Sequence, residues 1–73
     1  MRAREVNQRI EHLGGTQTRQ RGSHRQFEAT TTRNGETLTA RTTVAQHPGD
    51  IPTGTLRKIE RDMEPVFGKG WLR

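Results

Sequence analysis

Cysteine is absent from this 73-residue chain, which excludes both a disulfide-stapled miniprotein and a thiolate zinc site. His12, His24 and His47 stand far apart in the sequence and form no recognisable metal cluster. Neither a structural metal nor any other cofactor is expected. No apolar run approaches the roughly 18 residues of a membrane span, and the first residues alternate Arg and Glu around Val6 rather than forming an apolar signal region. The chain therefore reads as soluble and cytoplasmic. Long apolar side chains are scarce as well: Leu, Ile, Val and Phe number 12 of 73, a proportion on the disorder-prone side, although the net charge of +5 is too low to decide for disorder. No repeat or linker interrupts the chain, and its length has room for one small domain, residues 1–73, of marginal stability.

Lysine is nearly missing too. The basic excess is carried by 11 Arg against 2 Lys, and the planar guanidinium fork matches phosphate better than an ammonium point charge does. Nucleic acid is the first partner this composition suggests, and an acidic protein the second.

The apolar residues that are present fall into clear periods. Ala3, Val6, Ile10 and Leu13 recur every three or four residues among Arg and Glu, predicting an amphipathic helix over about 2–13 that ends at Gly14 and Gly15. Thr16–Arg21 is Thr-rich without an apolar residue and predicts a strand over about 16–21. After Gly22 and Ser23, a strand over about 24–31 places Phe27 and Ala29 on one parity, and Thr32, Arg33, Asn34 and Gly35 read as a loop. Residues 36–46 alternate cleanly, with Leu38, Ala40, Thr42 and Val44 on one face and Thr37, Thr39, Arg41 and Thr43 on the other. Leu56, Ile59 and Met63 predict a second helix over about 53–64, stopped by Pro65 and followed by a tail over 65–73.

The order is α-β-β-β-α, and loops this short allow only an antiparallel meander. The fold class is α+β: a three-stranded antiparallel sheet with two helices on the face holding Phe27, Ala29, Leu38, Ala40 and Val44. His24 and Gln26, of opposite parity to Phe27, then fall on the open face with Arg41. Arg19 and Arg21 join them if Thr16 and Thr18 point inward.

An imidazole among guanidiniums suits a phosphodiester. Arginine neutralises charge that develops on phosphate, while an imidazole, with a reference pKa of about 6.5, takes or gives a proton at neutral pH. The matching reaction is attack of a ribose 2′-hydroxyl on its neighbouring phosphate, leaving a 2′,3′-cyclic phosphate and a 5′-hydroxyl. It needs no metal, and one well-placed histidine contributes about 10²–10⁴-fold. A plainer reading stands beside it: a lone turn-flanked His is commonly just solvent-exposed, and strand arginines commonly serve solubility. His12 suits the dipole at the end of the first helix. His47 reads as a strand-terminal polar residue or as a second proton carrier, and Arg57, Lys58 and Arg61 read as a surface paired with Glu60, Asp62 and Glu64.

Taken together, Gly22, Ser23 and His24 followed by Phe27, then His47 and Pro48, then Ile51, Pro52, Gly54, Thr55, Leu56 and Ile59 resemble the HicA family of bacterial toxin mRNA interferases. The resemblance runs from the first helix to the second. It implies a double-stranded-RNA-binding-domain-like fold and a metal-independent endoribonuclease that cleaves mRNA, with His24 as catalytic residue and Gly22 and Ser23 shaping its turn. Arg19, Arg21, Ser23, Arg25 and Arg41 are the candidate RNA contacts. It also implies a HicB-type antitoxin that covers the catalytic surface, with DNA reached only indirectly through the antitoxin.

Similar family members carry aromatic and aliphatic residues in the first strand, where this chain has Thr16, Gln17 and Thr18, so the core beneath that strand is expected to be thin. Phe67 and Trp71 of the tail either refill the missing volume or offer an apolar contact to the antitoxin. Two other functions share the fold and charge: a non-catalytic RNA-binding module, and a degenerate toxin that retains only partner binding.

Overall fold

A computed structural model describes residues 1–73. The elements run α1 (Ala3–His12), β1 (Thr16–Arg21), β2 (His24–Arg33), β3 (Glu36–Ala45) and α2 (Thr53–Phe67). The three strands form one antiparallel sheet in the order β1-β2-β3, the α-β-β-β-α arrangement that the periodicities imply.

Local chemistry explains where each element stops. The backbone N–H of Arg2 donates to the Glu5 carboxylate at 2.9 Å, satisfying a donor at the start of α1. At the other end Gly15 N–H donates to the Ile10 carbonyl and Gly14 N–H to the Glu11 carbonyl, while Gly14 adopts a φ of 100°. That is the paired bonding of a Schellman stop. Because the helix closes at His12, Leu13 lies beyond the last turn and is 42% exposed rather than part of the core stripe. The stripe is Ala3, Val6, Asn7 and Ile10.

β2 is longer than the composition of its end suggests. Thr32 and Arg33 pair with Thr37 and Glu36, and the turn is confined to Asn34 and Gly35. Both have positive φ, 51° and 78°, the two-residue type I′ geometry whose twist matches that of its strands. The β1–β2 turn is equally tight. Gly22 has a φ of 55° and Ser23 does not share the sign, the pattern of a type II′ turn with glycine in its first central position.

Register assigns the faces, because directly paired residues in an antiparallel sheet point the same way. Phe27 pairs with Thr42, Ala29 with Ala40 and Arg25 with Val44. This face carries the core, in which Phe27, Val44, Ile10, Val6, Ile59 and Met63 are almost completely enclosed between sheet and helices. Thr42, buried among them, donates its hydroxyl to Asp62 of α2 at 2.9 Å, and Lys58 holds the same carboxylate oxygen at 2.8 Å. All six residues of β1 are exposed, so the thin core under that strand is a feature of the fold.

Pro65 does not end α2, which continues to Phe67 and stops at Gly68, where φ is 93°. Proline removes one helix donor, yet the extra turn brings Val66 and Phe67 against the core. Trp71 and Leu72 follow and are buried. The Trp71 ring meets Phe67 edge-on at 5.1 Å between centroids, and its Nε1–H donates to the Glu60 carbonyl at 2.7 Å. The carbonyl of Trp71 accepts from the Arg9 guanidinium at 3.2 Å. Glu60, expected on a solvated helix surface, is instead enclosed: its carboxylate accepts from Leu72 N–H and pairs with Arg73, both at 3.3 Å. The tail thus fills core volume.

Candidate functional site

The face of the sheet opposite the helices is bare. His24 opens β2 immediately after the Gly22–Ser23 turn, and register sets it between Arg21 of β1 and Ala45 of β3. One row further along stand Arg19, Gln26 and Thr43, and in the next row Thr16, Glu28 and Arg41. Arg19 and Arg21 therefore share the open face with His24, as the alternation requires. The condition attached to that expectation fails at Thr16: it pairs with Glu28 and points outward. A bulge between Gln17 and Arg19 absorbs one residue of β1, so the parity set by the tight turn holds for Arg19 and Arg21 but is reversed before the bulge.

The remaining candidate arginines are placed differently. Arg41 is on the open face, but its Nε donates to the Glu28 carboxylate at 2.6 Å. It also lies four residues along the sheet from His24, about 13 Å at the usual strand rise. Arg25 shares the face of Phe27 and Val44. Its Nε is shielded from solvent without a hydrogen-bond partner, and its register separates it from Arg19, Arg21 and Arg41. Ser23 is half-buried in the turn beside His24.

Two segments distant in sequence converge on this corner. The backbone N–H of Gln46 donates to the Ser23 carbonyl at 2.6 Å, joining the residue before His47 to the residue before His24. The two imidazole rings stand 6.4 Å apart, centre to centre, nearly perpendicular at 83°. His24 is exposed, and His47 lies on the loop that leaves β3.

The loop that carries His47 is held at both ends by the start of the chain. Asn7, buried on α1, exchanges side-chain hydrogen bonds with Gln46 at 2.7 and 3.2 Å, and Gln46 also donates to the Val44 carbonyl at 3.0 Å. Beyond His47, Ile51 N–H donates to the Met1 carbonyl at 2.8 Å, and Arg2 forms an isolated bridge with Asp50. Buried amides without partners are costly, so the reciprocal Asn7–Gln46 pair gives the loop one favoured position. A cleft beside it is lined by Arg2, Arg4, Gln46, His47 and Pro48. Periodicity marks Arg2 and Arg4 merely as the polar side of a helix. Their proximity to His47 depends on how α1 crosses the sheet, and a local pattern does not encode that crossing.

Chemically, the corner offers two imidazoles, guanidiniums from two elements and no acidic side chain in the row of His24. No three His, Asp or Glu side chains gather as metal ligands anywhere in the molecule. No helix is long and apolar enough to cross a membrane.

Comparison with curated proteins and with solved structures yields no match. A family model does match: the one described as HicA toxin of bacterial toxin-antitoxin covers residues 3–64. That span takes in α1, all three strands and most of α2, with both histidines of the corner, and leaves out the tail that carries Trp71. The chain belongs to the HicA family of toxins of bacterial toxin–antitoxin systems.

Proposed function

We propose that this toxin is a metal-independent endoribonuclease that acts on mRNA in the cytoplasm, with His24 as its catalytic general acid/base. The observation that carries the reading is the position of His24 on the bare sheet face beside Arg21, with Arg19 in the adjoining row. The guanidiniums hold the phosphodiester and offset the charge that develops on its oxygens, while the imidazole moves a proton. Gly22 supports the same reading, since its positive φ lets a two-residue turn deliver His24 to the open face. A HicB-type antitoxin would inactivate the toxin by covering this basic face, and DNA would be met only through that partner.

The test is cleavage of an end-labelled mRNA by wild-type and His24→Ala protein in EDTA, with the product ends identified. Cleavage by the wild type alone, with 2′,3′-cyclic phosphate and 5′-hydroxyl ends, is the expected result. Equal cleavage by both proteins refutes the role of His24. RNA that is bound in a salt-sensitive manner but left intact by both would make the chain an RNA-binding module, and intact RNA with partner binding alone would make it a degenerate toxin.

A further inference from the structure

We infer that His47 is a second catalytic residue, the proton-carrying partner of His24; this rests on the ribonuclease reading above. Transesterification by a 2′-hydroxyl moves two protons. One leaves the 2′-oxygen as the new P–O2′ bond forms, and one must reach the 5′-oxygen as the P–O5′ bond breaks. A lone imidazole on an open sheet supplies one of the two at a time. The corner supplies both.

The geometry is suited to the task. Ring nitrogens reach oxygen over about 2.6–3.2 Å, so two imidazoles with centres 6.4 Å apart can each address a different oxygen of one phosphate held between them. Arg21 stands beside His24 in the sheet, and Arg2 and Arg4 line the cleft beside His47. A phosphate at the rings therefore has Arg21 on the His24 side, and the RNA running on past His47 meets the cleft of Arg2 and Arg4. The Asn7–Gln46 pair and the Gln46 N–H to Ser23 carbonyl bond hold together, before substrate arrives, the two backbone segments that carry the rings, and such preorganisation favours acid–base groups that act together. The neutral imidazole takes the 2′ proton while the imidazolium gives its proton to the 5′-oxygen. The pair ends the step with its charges exchanged and is reset by proton transfer with water, so no metal, oxidant or further reactant is consumed.

The fold makes no evident structural use of His47. No side-chain hydrogen bond from its ring holds the loop, whose anchors are Gln46, Asp50 and Ile51.

His47→Gln and His47→Ala are tested beside wild type and His24→Ala on two RNA substrates. One is natural; in the other, sulfur replaces the bridging 5′-oxygen at a single linkage, giving a leaving group that departs as thiolate without needing a proton. Thermal unfolding checks that the variants are folded, and anisotropy with a 2′-deoxy analogue checks binding. The expected result is a loss of about 10²–10⁴-fold on natural RNA for both His47 variants, unchanged binding, and recovery on the sulfur substrate for variants at one of the two histidines. The position that recovers is the acid, and the other is the base. Natural RNA cleaved at the wild-type rate by His47→Gln overturns the inference and leaves the role of His24 intact. A loss that sulfur relieves at neither histidine also overturns it, because no imidazole then protonates the leaving group. Failure of the wild type itself to cleave RNA overturns the ribonuclease reading, and this inference with it.

Discussion

Replacing Trp71 with alanine should remove a large part of the stability of the isolated toxin, even though the residue lies outside the span shared with the family model. Trp71 is 8% exposed, packs edge-on against Phe67 and donates to the Glu60 carbonyl at 2.7 Å. Truncating a buried aromatic to alanine costs about 3–5 kcal/mol, of which the hydrogen bond accounts for about 1 kcal/mol. A chain of 73 residues has about 4–11 kcal/mol in total at the usual stability per residue, so the variant keeps at best about half to three-quarters of it. At this size 1 kcal/mol moves the thermal midpoint by about 4–8 °C, and the expected fall is at least about 12 °C. Trp71→Phe keeps most of the ring burial and the aromatic contact, and loses only about 1 kcal/mol. Far-UV circular dichroism is the suitable readout, because Trp71 is the sole tryptophan and fluorescence disappears with it. A midpoint for Trp71→Ala within about 3 °C of wild type would show that the tail does not belong to the core.

Gly15→Ala should destabilise by about 1–3 kcal/mol, since a Cβ there would collide with the Ile10 side chain and lie 3.3 Å from the Phe67 ring; urea denaturation is expected to show a lower midpoint with an unchanged slope. Arg19→Ala combined with Arg21→Ala should flatten the salt dependence of RNA binding, lowering the slope of log K against log salt by about 1.4, at about 0.7 for each phosphate on a single strand that the protein no longer neutralises. Arg41→Ala should lower it by less than about 0.7, because Glu28 already holds that guanidinium at 2.6 Å. Glu28→Gln should release it and steepen the slope, and an unchanged slope in that variant would contradict the pairing.

The fold was readable wherever a period of two or of three to four had apolar residues to express it. β3 alternates over its whole length and α1 repeats at helical spacing, and both stand where their patterns place them. The misplacements at Pro65 and Glu60 share a physical cause: local chemistry outweighed by distant packing. Pro65 marks a helix end by its missing donor, but Val66 and Phe67 gain burial by continuing the helix. Glu60 looks like a solvated partner for its neighbours on α2 until the tail folds over it.

At the site, the parity of His24, Arg19 and Arg21 could be read from the tight turn between β1 and β2, whereas the bulge at Thr18 could not. Arg25 could be read only by noticing that it has the parity of Phe27 and not of His24. The approach of His47 to His24 depends on the meeting of β2 with the far end of β3, and that of Arg2 and Arg4 on the crossing of α1. The first follows once the two-residue Asn34–Gly35 turn sets His24 opposite Ala45; the second is a long-range placement, and residue spacing carries no trace of it.

The exposed first strand also bears on how the protein behaves in solution with other copies of itself. β1 forms one border of the sheet, and all six of its residues are exposed. A border strand offers a row of unpaired amides and carbonyls on which a second chain can extend the sheet. Here that border is short, free of apolar side chains, kinked by a bulge and charged at Arg19 and Arg21, all of which discourage edge-to-edge joining. The two arginines proposed to hold phosphate would therefore also discourage the free toxin from joining edge to edge. Neutralising both is expected to lower its solubility along with the proposed affinity for RNA, so one pair of charges would answer to two separate demands.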